Sequence, residues 1–322
     1  MNAGKSMSRW SIAIFTARET LATLAETVAA VELACVGASG TIDVIVNGNR
    51  GLAAAIAESR AANSGRARPS GARLRVWFIA EGDKAHAWNQ YIESIAPESD
   101  VVFFVDGYAR VTPDSLHLLE DAFVDNPEAW AASAVPTVGR SAKRLRGRMQ
   151  TEGGIHGSLY ALRGSVVELL RSSGVRLPIG IYRNDSLLGA IMCFSADPGS
   201  HRWNAKRIAV VRGATWTHEA LRWTRWASVV TQWKRLRRQA QGVLENAAVR
   251  QHLALDRLPP ESLPGTAAEL IARWRAAHPA DALALLRHPL RRRAARQLAL
   301  PRDWSLAERA PELLLDRKPA AD

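Results

Sequence analysis

Short apolar runs alternate with longer segments of helical periodicity through the first half of the chain. The apolar runs predict strands at residues 10–16, 42–47, 74–80 and 101–106. The segments after them predict helices beginning near Glu19, spanning 52–62 and 85–95, and running from after Pro113 to about Asp125. This alternation is typical of an α/β domain with a mixed, mainly parallel sheet flanked by helices.

Each predicted strand ends in a polar residue. These residues are Thr16, Asn47, Glu81 and Asp106. Ligands bind outside the carboxyl ends of the strands in open α/β sheets, so we expect these side chains to face one cleft.

The pattern changes in the second half of the chain. The basic stretch 140–148 is interpreted as an exposed loop, and glycines at 153, 154 and 157 predict a turn before a strand at 158–162. Beyond about Ala214 the composition favours helices interrupted by prolines. We therefore predict two parts, a catalytic domain at 1–220 and a basic helical C-terminal extension at 221–322.

Composition limits the class of protein. The chain has 322 residues, of which 47% are apolar and 23% charged, as in ordinary globular enzymes. The apolar stretch 10–17 is too short for a signal peptide and is interpreted as a strand, and no run has the length of a membrane span. With Cys35 and Cys193 as its two cysteines, the chain is expected to keep reduced, buried thiols in the cytoplasm.

The net charge of +12 is unevenly distributed. Residues 1–200 carry 20 basic and 20 acidic side chains, whereas residues 201–322 carry 23 basic and 11 acidic ones. Such asymmetry favours an extension that faces something anionic.

Tryptophans in this region recur at helical spacing, with basic residues around them, which predicts either a helix at an anionic membrane surface or a Trp stripe packed on the domain. The stripe comprises Trp216, Trp223, Trp226, Val230 and Trp233, and the basic residues are Arg222, Arg225, Lys234, Arg235, Arg237 and Arg238.

The strongest chemical signal is the buried strand 101–106, which carries Asp106 at its tip next to Gly107. Together with segments 11–16, 44–49 and 82–89, in this order, it resembles the motifs of family 2 glycosyltransferases over residues 10–220. The resemblance implies a GT-A fold and inverting transfer of a sugar from a nucleotide-sugar, with a UDP-sugar favoured, to a hydroxyl of a glycan or lipid-linked acceptor. It also implies a role in cell-surface polysaccharide or glycolipid assembly, on the inner face of the membrane.

The resemblance assigns roles to individual residues. Asp106 matches the first acid of the family's Asp-x-Asp motif, which holds the donor diphosphate through Mg²⁺ or Mn²⁺. Tyr108 replaces the second acid, which weakens the case for a bound cation. The residues that match nucleotide-binding positions are Thr16, Arg18, Glu19, Asn47, Lys84 and Asn89.

Segment 177–188 resembles the family's base-bearing segment, and Asp185 matches the carboxylate that takes the proton of the acceptor hydroxyl. An alternative interpretation makes Asp185 the N-cap of a helix over 186–192. His156 and Gly157 match the acceptor side, and His218 a late metal ligand. The candidates to neutralise the leaving diphosphate are Arg183, Lys206 and Arg207.

Two other functions remain open. A nucleotidyltransferase would need a glycine-rich loop after the first strand, where Thr16 to Glu19 have none. The sequence pI of about 10.5 suggests a nucleic-acid-binding protein, but the charge lies at one end and no nucleic-acid module is recognisable, so no nucleic-acid partner is expected.

Overall fold

The computed structural model describes residues 8–62, 71–137, 142–218 and 226–318, and in the helix at 226–249 it describes side chains from residue 236 onward.

An eight-stranded sheet forms the centre of the molecule. Its strands run in the order β10-β3-β2-β1-β4-β7-β6-β8, and a separate two-stranded ribbon pairs β5 with β9. Strands β3, β2, β1 and β4 are parallel to one another, and so are β6 and β8. The pairs β10–β3, β4–β7 and β7–β6 are antiparallel. The strands are β1 (Arg9–Thr16), β2 (Ser39–Asn47), β3 (Arg73–Ile79), β4 (Val101–Asp106), β5 (Arg110–Val111), β6 (Ala131–Ala134), β7 (Leu159–Arg163), β8 (Ile208–Val211), β9 (Trp216–Thr217) and β10 (Glu312–Arg317).

Helices cover both faces of this sheet. They are α1 (Leu21–Ala34), α2 (Arg50–Ala62), α3 (Lys84–Gln90), α4 (Ser115–Asp125), α5 (Ala142–Glu152), α6 (Gly164–Ser172), α7 (Asn184–Cys193), α8 (Trp226–Val249), α9 (Ala267–Ala277), α10 (Pro279–Leu286) and α11 (Pro289–Leu298). A π-helical turn, Tyr91–Ile95, continues α3, and another, Arg250–Leu255, continues α8.

The strand side chains alternate between two apolar cores. Ile12 and Ile14 of β1 pack with α1, α2 and α4, whereas Phe15 and Phe104 point to the opposite face, toward α3 and α7. Because both faces are covered, the central strands are apolar along their whole length. The predicted mixed, mainly parallel sheet is confirmed, as are the four N-terminal strands to within about three residues at each end.

The prediction of an exposed loop at 140–148 was wrong. Residues Ala142–Glu152 form helix α5. Ala142 and Met149 are buried on one side of it while the basic residues between them are mostly exposed. The sequence analysis gave weight to the many basic residues and overlooked the helical spacing of the two apolar ones.

The C-terminal part is mostly helical, as predicted, but it also supplies a strand. Leu313, Leu314 and Leu315 lie in β10, which pairs with β3 at the edge of the sheet. Leu244 of α8 and Ile271 of α9 belong to the same buried cluster as α7. The boundary at 220/221 lies among residues outside the described ranges, and the division into two parts stays a prediction.

The first residue of the predicted Trp stripe, Trp216, does not lie in a helix. Trp216 lies in β9 and is buried against the domain. Trp223, Arg222 and Arg225 fall outside the described residues. The side chains of Trp226, Val230, Trp233, Lys234 and Arg235 do so too. No helix in the described ranges is long and apolar enough to cross a membrane.

Candidate active site

A cleft of about 630 Å³ lies outside the carboxyl ends of β1, β2 and β4. The strand register accounts for it, because Phe15 of β1 lies beside Asp106 of β4 and Thr16 lies beside Val46 of β2. The sequence-predicted residues that line it are Thr16, Arg18, Glu19, Asn47, Lys84, Asp106, His156, Gly157, Arg183 and Asp185.

Gly107 allows the two central strands to end side by side. A Cβ at this position would lie 2.6 Å from the Cβ of Thr16, closer than packing allows. The Gly107 N–H also donates to the carbonyl of Phe15 at 2.7 Å. The glycine after Asp106 is therefore required by close approach.

Glu19 organises the loop after β1. Its Oε2 accepts hydrogen bonds from the Thr16 hydroxyl (2.6 Å) and from the Ala17 and Arg18 backbone N–H groups (both 3.0 Å). Burial opposes ionisation, but these hydrogen bonds outweigh it and lower the pKa of Glu19. An ionised Glu19 thus fixes the backbone at the rim of the cleft.

Both carboxylate oxygens of Asp106 have partners. Oδ1 forms an ion pair with the Lys84 ammonium, and Oδ2 accepts a hydrogen bond from the Tyr108 hydroxyl at 2.8 Å. Tyr108 also lies 3.1 Å from the Ser158 hydroxyl. Burial raises the pKa of Tyr108 far above its ordinary value, so its phenol stays neutral.

These residues offer few oxygen ligands to a divalent cation. Mg²⁺ and Mn²⁺ prefer several oxygen ligands, but Asp106 is engaged by an ammonium and Tyr108 offers no negative charge. His218 packs against Tyr108 with ring centroids 6.3 Å apart. No group of three His, Cys, Asp or Glu side chains that could hold a metal lies in the part of the chain described. The metal role expected for Asp106 and His218 stays a prediction.

Asp185 lies across Gly157 from the Lys84–Asp106 pair. Lys84 Nζ lies 3.4 Å from the Gly157 carbonyl, and a Cβ on Gly157 would lie 3.5 Å from Asp185 Oδ2. Oδ1 of Asp185 accepts from the Ser186 N–H at 2.9 Å, and Asp185 makes no ion pair with any described residue. The N-cap interpretation was wrong, because α7 begins at Asn184 and Asp185 lies in its first turn.

His156 lies on the same wall. Its Nδ1 accepts a hydrogen bond from the Ser158 N–H at 3.3 Å, and its ring packs 4.6 Å from that of Trp216. Burial lowers the pKa of His156, although Asp185 and Asp106 oppose this shift. A neutral imidazole with Nδ1 as acceptor carries its proton on Nε2, which makes it a hydrogen-bond donor.

Helix α8 anchors the loop at 180–183, which forms the far wall. The buried Glu245 accepts from the backbone N–H groups of Tyr182 (2.8 Å) and Arg183 (3.0 Å), and Gln241 donates to the Gly180 carbonyl (3.1 Å). Gly242 leaves room for Arg183, since a Cβ there would lie 2.8 Å from its Nε. The loop that carries Arg183 toward the cleft is thus held by the C-terminal part.

Three predicted residues lie elsewhere. The Asn89 amide is buried and exchanges two hydrogen bonds with the backbone of Leu177, at 2.8 and 2.9 Å, so it ties α3 to segment 177–188 rather than facing the cleft. Lys206 is exposed and lies 3.8 Å from Glu128. Arg207 donates to the Glu128 carbonyl and lies over Trp130, so neither cation reaches the cleft.

Several cleft residues were missed by the sequence analysis. Asp83 caps α3 through His86 N–H and also accepts from the Gly180 N–H at 3.1 Å. Arg302 forms an ion pair with Glu81 at 2.9 Å. Glu245, which holds the far wall of the cleft, was also missed. The signal available for it was an acid next to the apolar Leu244 and one helical turn before the apolar Ala248 and Val249. The further lining residues are Tyr182, Asn184, Arg238 and Gln241.

Comparison with known proteins supports the fold. No protein-family model and no curated protein matches the chain. Among solved structures, the mannosyltransferase PcManGT from Pyrobaculum calidifontis, in complex with GDP-Man and Mn²⁺, matches with a TM-score of 0.52 and 17% identity, over 92% of this chain and 85% of that one. Glucosyl-3-phosphoglycerate synthase from Mycobacterium tuberculosis matches with a TM-score of 0.47 and 16% identity, over 78% of this chain and 81% of that one. The chain therefore shares the GT-A fold of the Pyrobaculum mannosyltransferase.

Proposed function

We propose that this protein is an inverting glycosyltransferase that binds a nucleotide-sugar in the strand-end cleft. The observation that carries the proposal is the convergence of Thr16, Asn47, Asp106 and Asp185 on one cleft of a GT-A fold. These residues come from four separate elements. The resemblance to family 2 motifs predicts a place in the active-site cleft for each of them. The fold match to a mannosyltransferase supports the same class of reaction.

The cleft's basic side chains suit a departing nucleoside diphosphate. Lys84, Arg18 and Arg183 line it, with Arg238 and Arg302 at its far side. Fixed positive groups stabilise charge that develops on a leaving group. We propose that these side chains, rather than a divalent cation, neutralise the diphosphate.

Asp185 is the best-placed general base among the four carboxylates that line the cleft. Both oxygens of Asp106 and of Asp83 accept hydrogen bonds or ion pairs from the protein. Glu19 is committed to its own loop. In the proposed step, Asp185 takes the proton of the acceptor hydroxyl while the acceptor oxygen bonds to the anomeric carbon, and the bond from that carbon to the diphosphate breaks.

The acceptor and its location are finer proposals. We propose a glycan or lipid-linked acceptor, reached from the cytoplasmic face of a membrane through the basic C-terminal part. Each basic residue at an anionic surface contributes on the order of 1 kcal/mol. Co-sedimentation with vesicles should rise with their anionic lipid content and fall with salt.

Substitution of the proposed base tests the reaction. Asp185→Asn keeps the Oδ1 that accepts from Ser186 N–H but cannot take a proton. We expect turnover to fall by about 10²- to 10⁴-fold, with the melting temperature and nucleotide affinity unchanged, as measured by turnover assay, thermal shift and calorimetry.

Asp197→Asn is the matched control, because Asp197 Oδ1 also accepts a backbone N–H, that of Ser200 at 3.1 Å, and Asp197 is absent from the cleft lining. Wild-type turnover in Asp185→Asn would remove Asp185 as the base. Failure of UDP, GDP and their sugars to bind the wild-type protein would contradict the proposed function itself.

A further inference from the structure

A second cavity opens beside the donor cleft. Its volume is about 800 Å³, and it lies between α8, α9, α11 and the segment at 299–304. It shares Gly180, Arg238, Gln241 and Arg302 with the donor cleft. The two cavities are therefore adjacent.

The charged side chains around the cavity are mostly arginines. Arg237, Arg238, Arg275 and Arg302 line it, against one acid, Glu269. Arg238 and Arg275 make no ion pair with any residue that the structure describes. Arginine binds phosphate through a planar fork of donors and is the side chain suited to this task.

The floor of the cavity is apolar. Ala267 and Ile271 of α9 and Ala294 and Ala295 of α11 are buried there. Trp304 also lines the cavity, and its ring lies 3.5 Å from the position of a Cβ on Gly180. Arginines at the rim and small apolar residues on the floor suit an anion attached to an apolar body.

We propose that this cavity binds the acceptor, and that the acceptor carries a phosphate group on an apolar chain. The proposal rests on the proposed glycosyltransferase function and adds the chemical class of the acceptor. The Arg238 side of the cavity borders the donor cleft, so the acceptor's hydroxyl can reach Asp185 while its phosphate stays with the arginines. Such an acceptor is either a soluble hydroxyalkyl phosphate or a membrane lipid phosphate that carries a hydroxyl group.

Reversal of one rim charge tests the proposal. Arg275→Glu changes a cavity residue outside the donor cleft, and Arg273→Glu is the matched control because it lies exposed on the same helix and outside the cavity lining. Calorimetry with hexyl phosphate, hexanol and inorganic phosphate measures the soluble arm. Flotation with phosphatidylcholine vesicles, with and without phosphatidic acid, measures the membrane arm.

We expect Arg275→Glu to weaken binding by about 10- to 100-fold, and Arg273→Glu to leave it unchanged. Hexyl phosphate should bind more tightly than either hexanol or inorganic phosphate. Loss in the hexyl phosphate arm supports a soluble acceptor, and loss in the vesicle arm alone supports a lipid acceptor.

Equal binding by wild type and Arg275→Glu in both arms, or no binding in either, would overturn the proposal. So would inorganic phosphate binding as tightly as hexyl phosphate. Calorimetry with UDP on the same variants separates this failure from that of the donor site, because Arg275→Glu leaves nucleotide binding intact if the glycosyltransferase proposal holds.

Discussion

At the residue scale, Lys84 and Asp106 form an ion pair inside the strand-end cleft, which we propose as the donor site. Asp106 holds Lys84 on one oxygen and Tyr108 on the other, so its charge is balanced inside the protein. Under the proposed function, an incoming diphosphate meets the Lys84 ammonium of α3, which Asp106 holds at the end of β4. This arrangement leads to a test of cation dependence.

We expect nucleoside diphosphate affinity to be unchanged by EDTA and to fall about 10- to 100-fold in Lys84→Met, which removes a charge-assisted contact. Calorimetry with UDP and GDP measures both effects. Lys206→Met is the control, because Lys206 is exposed and distant from the cleft lining. Affinity that appears only on addition of Mn²⁺ would contradict this expectation.

Residues at strand tips were predictable from sequence, whereas residues placed by tertiary packing were not. Thr16, Asn47 and Asp106 follow apolar runs, and parallel strands bring their tips together. Asn89 was assigned by position in a motif, but the sequence does not say which side of α3 faces the cleft. Arg238 and Arg302 enter the cleft from the C-terminal part, and no local pattern specifies where that part packs.

At the element scale, helix α8 positions the wall that carries Arg183. Glu245 is fully buried and accepts two backbone N–H groups of the loop at 180–183, as well as the Gln241 side chain at 2.7 Å. Burial raises the pKa of Glu245, although these hydrogen bonds oppose the shift. The hydrogen bonds therefore offset part of the cost of burying the carboxylate, and they hold the loop at 180–183 against α8.

Glu245→Ala should release this loop. We expect a loss of about 1 to 3 kcal/mol in the free energy of unfolding for each backbone donor left unsatisfied, together with a fall in turnover. Denaturant titration and a turnover assay measure the two effects. Asn246→Ala, at an exposed position on the same helix, should change neither. Full turnover in Glu245→Ala would show that the loop does not need α8.

The helix at Ala142–Glu152 was predicted as a loop because of its many basic residues. Lys and Arg are compatible with helix, and the decisive feature is the spacing of Ala142 and Met149, which are buried on one face. The prediction of a loop relied on the basic residues of this segment and not on the spacing of its two apolar residues. Periodicity predicts an element better than local polarity does.

At the scale of the whole molecule, β10 joins the C-terminal part to the sheet. It covers the edge of β3, and its ends carry ion pairs of Glu312 with Arg50 and of Asp316 with Arg73. Exposed ion pairs contribute little to stability. The larger effect of β10 is that it covers the edge of β3, which would otherwise be open to pair with a strand of another molecule.

Deletion of residues 312–322 should uncover this edge. We expect a lower melting temperature and concentration-dependent association, measured by thermal shift and light scattering. Deletion of residues 319–322, which leaves β10 in place, is the control. A monodisperse truncated protein with the wild-type melting temperature would mean that β10 does not protect the edge.

The same strand has a consequence for synthesis on the ribosome. Arg73 and Asp316 are 243 positions apart in sequence. At the translation rate of about 5 to 20 residues per second, β3 emerges on the order of 10 to 50 s before the strand that covers it. Throughout that interval β3 lacks the strand that covers its edge. We therefore expect the nascent chain to bind chaperones that recognise unpaired strands, and its yield to depend on codon usage between the two strands.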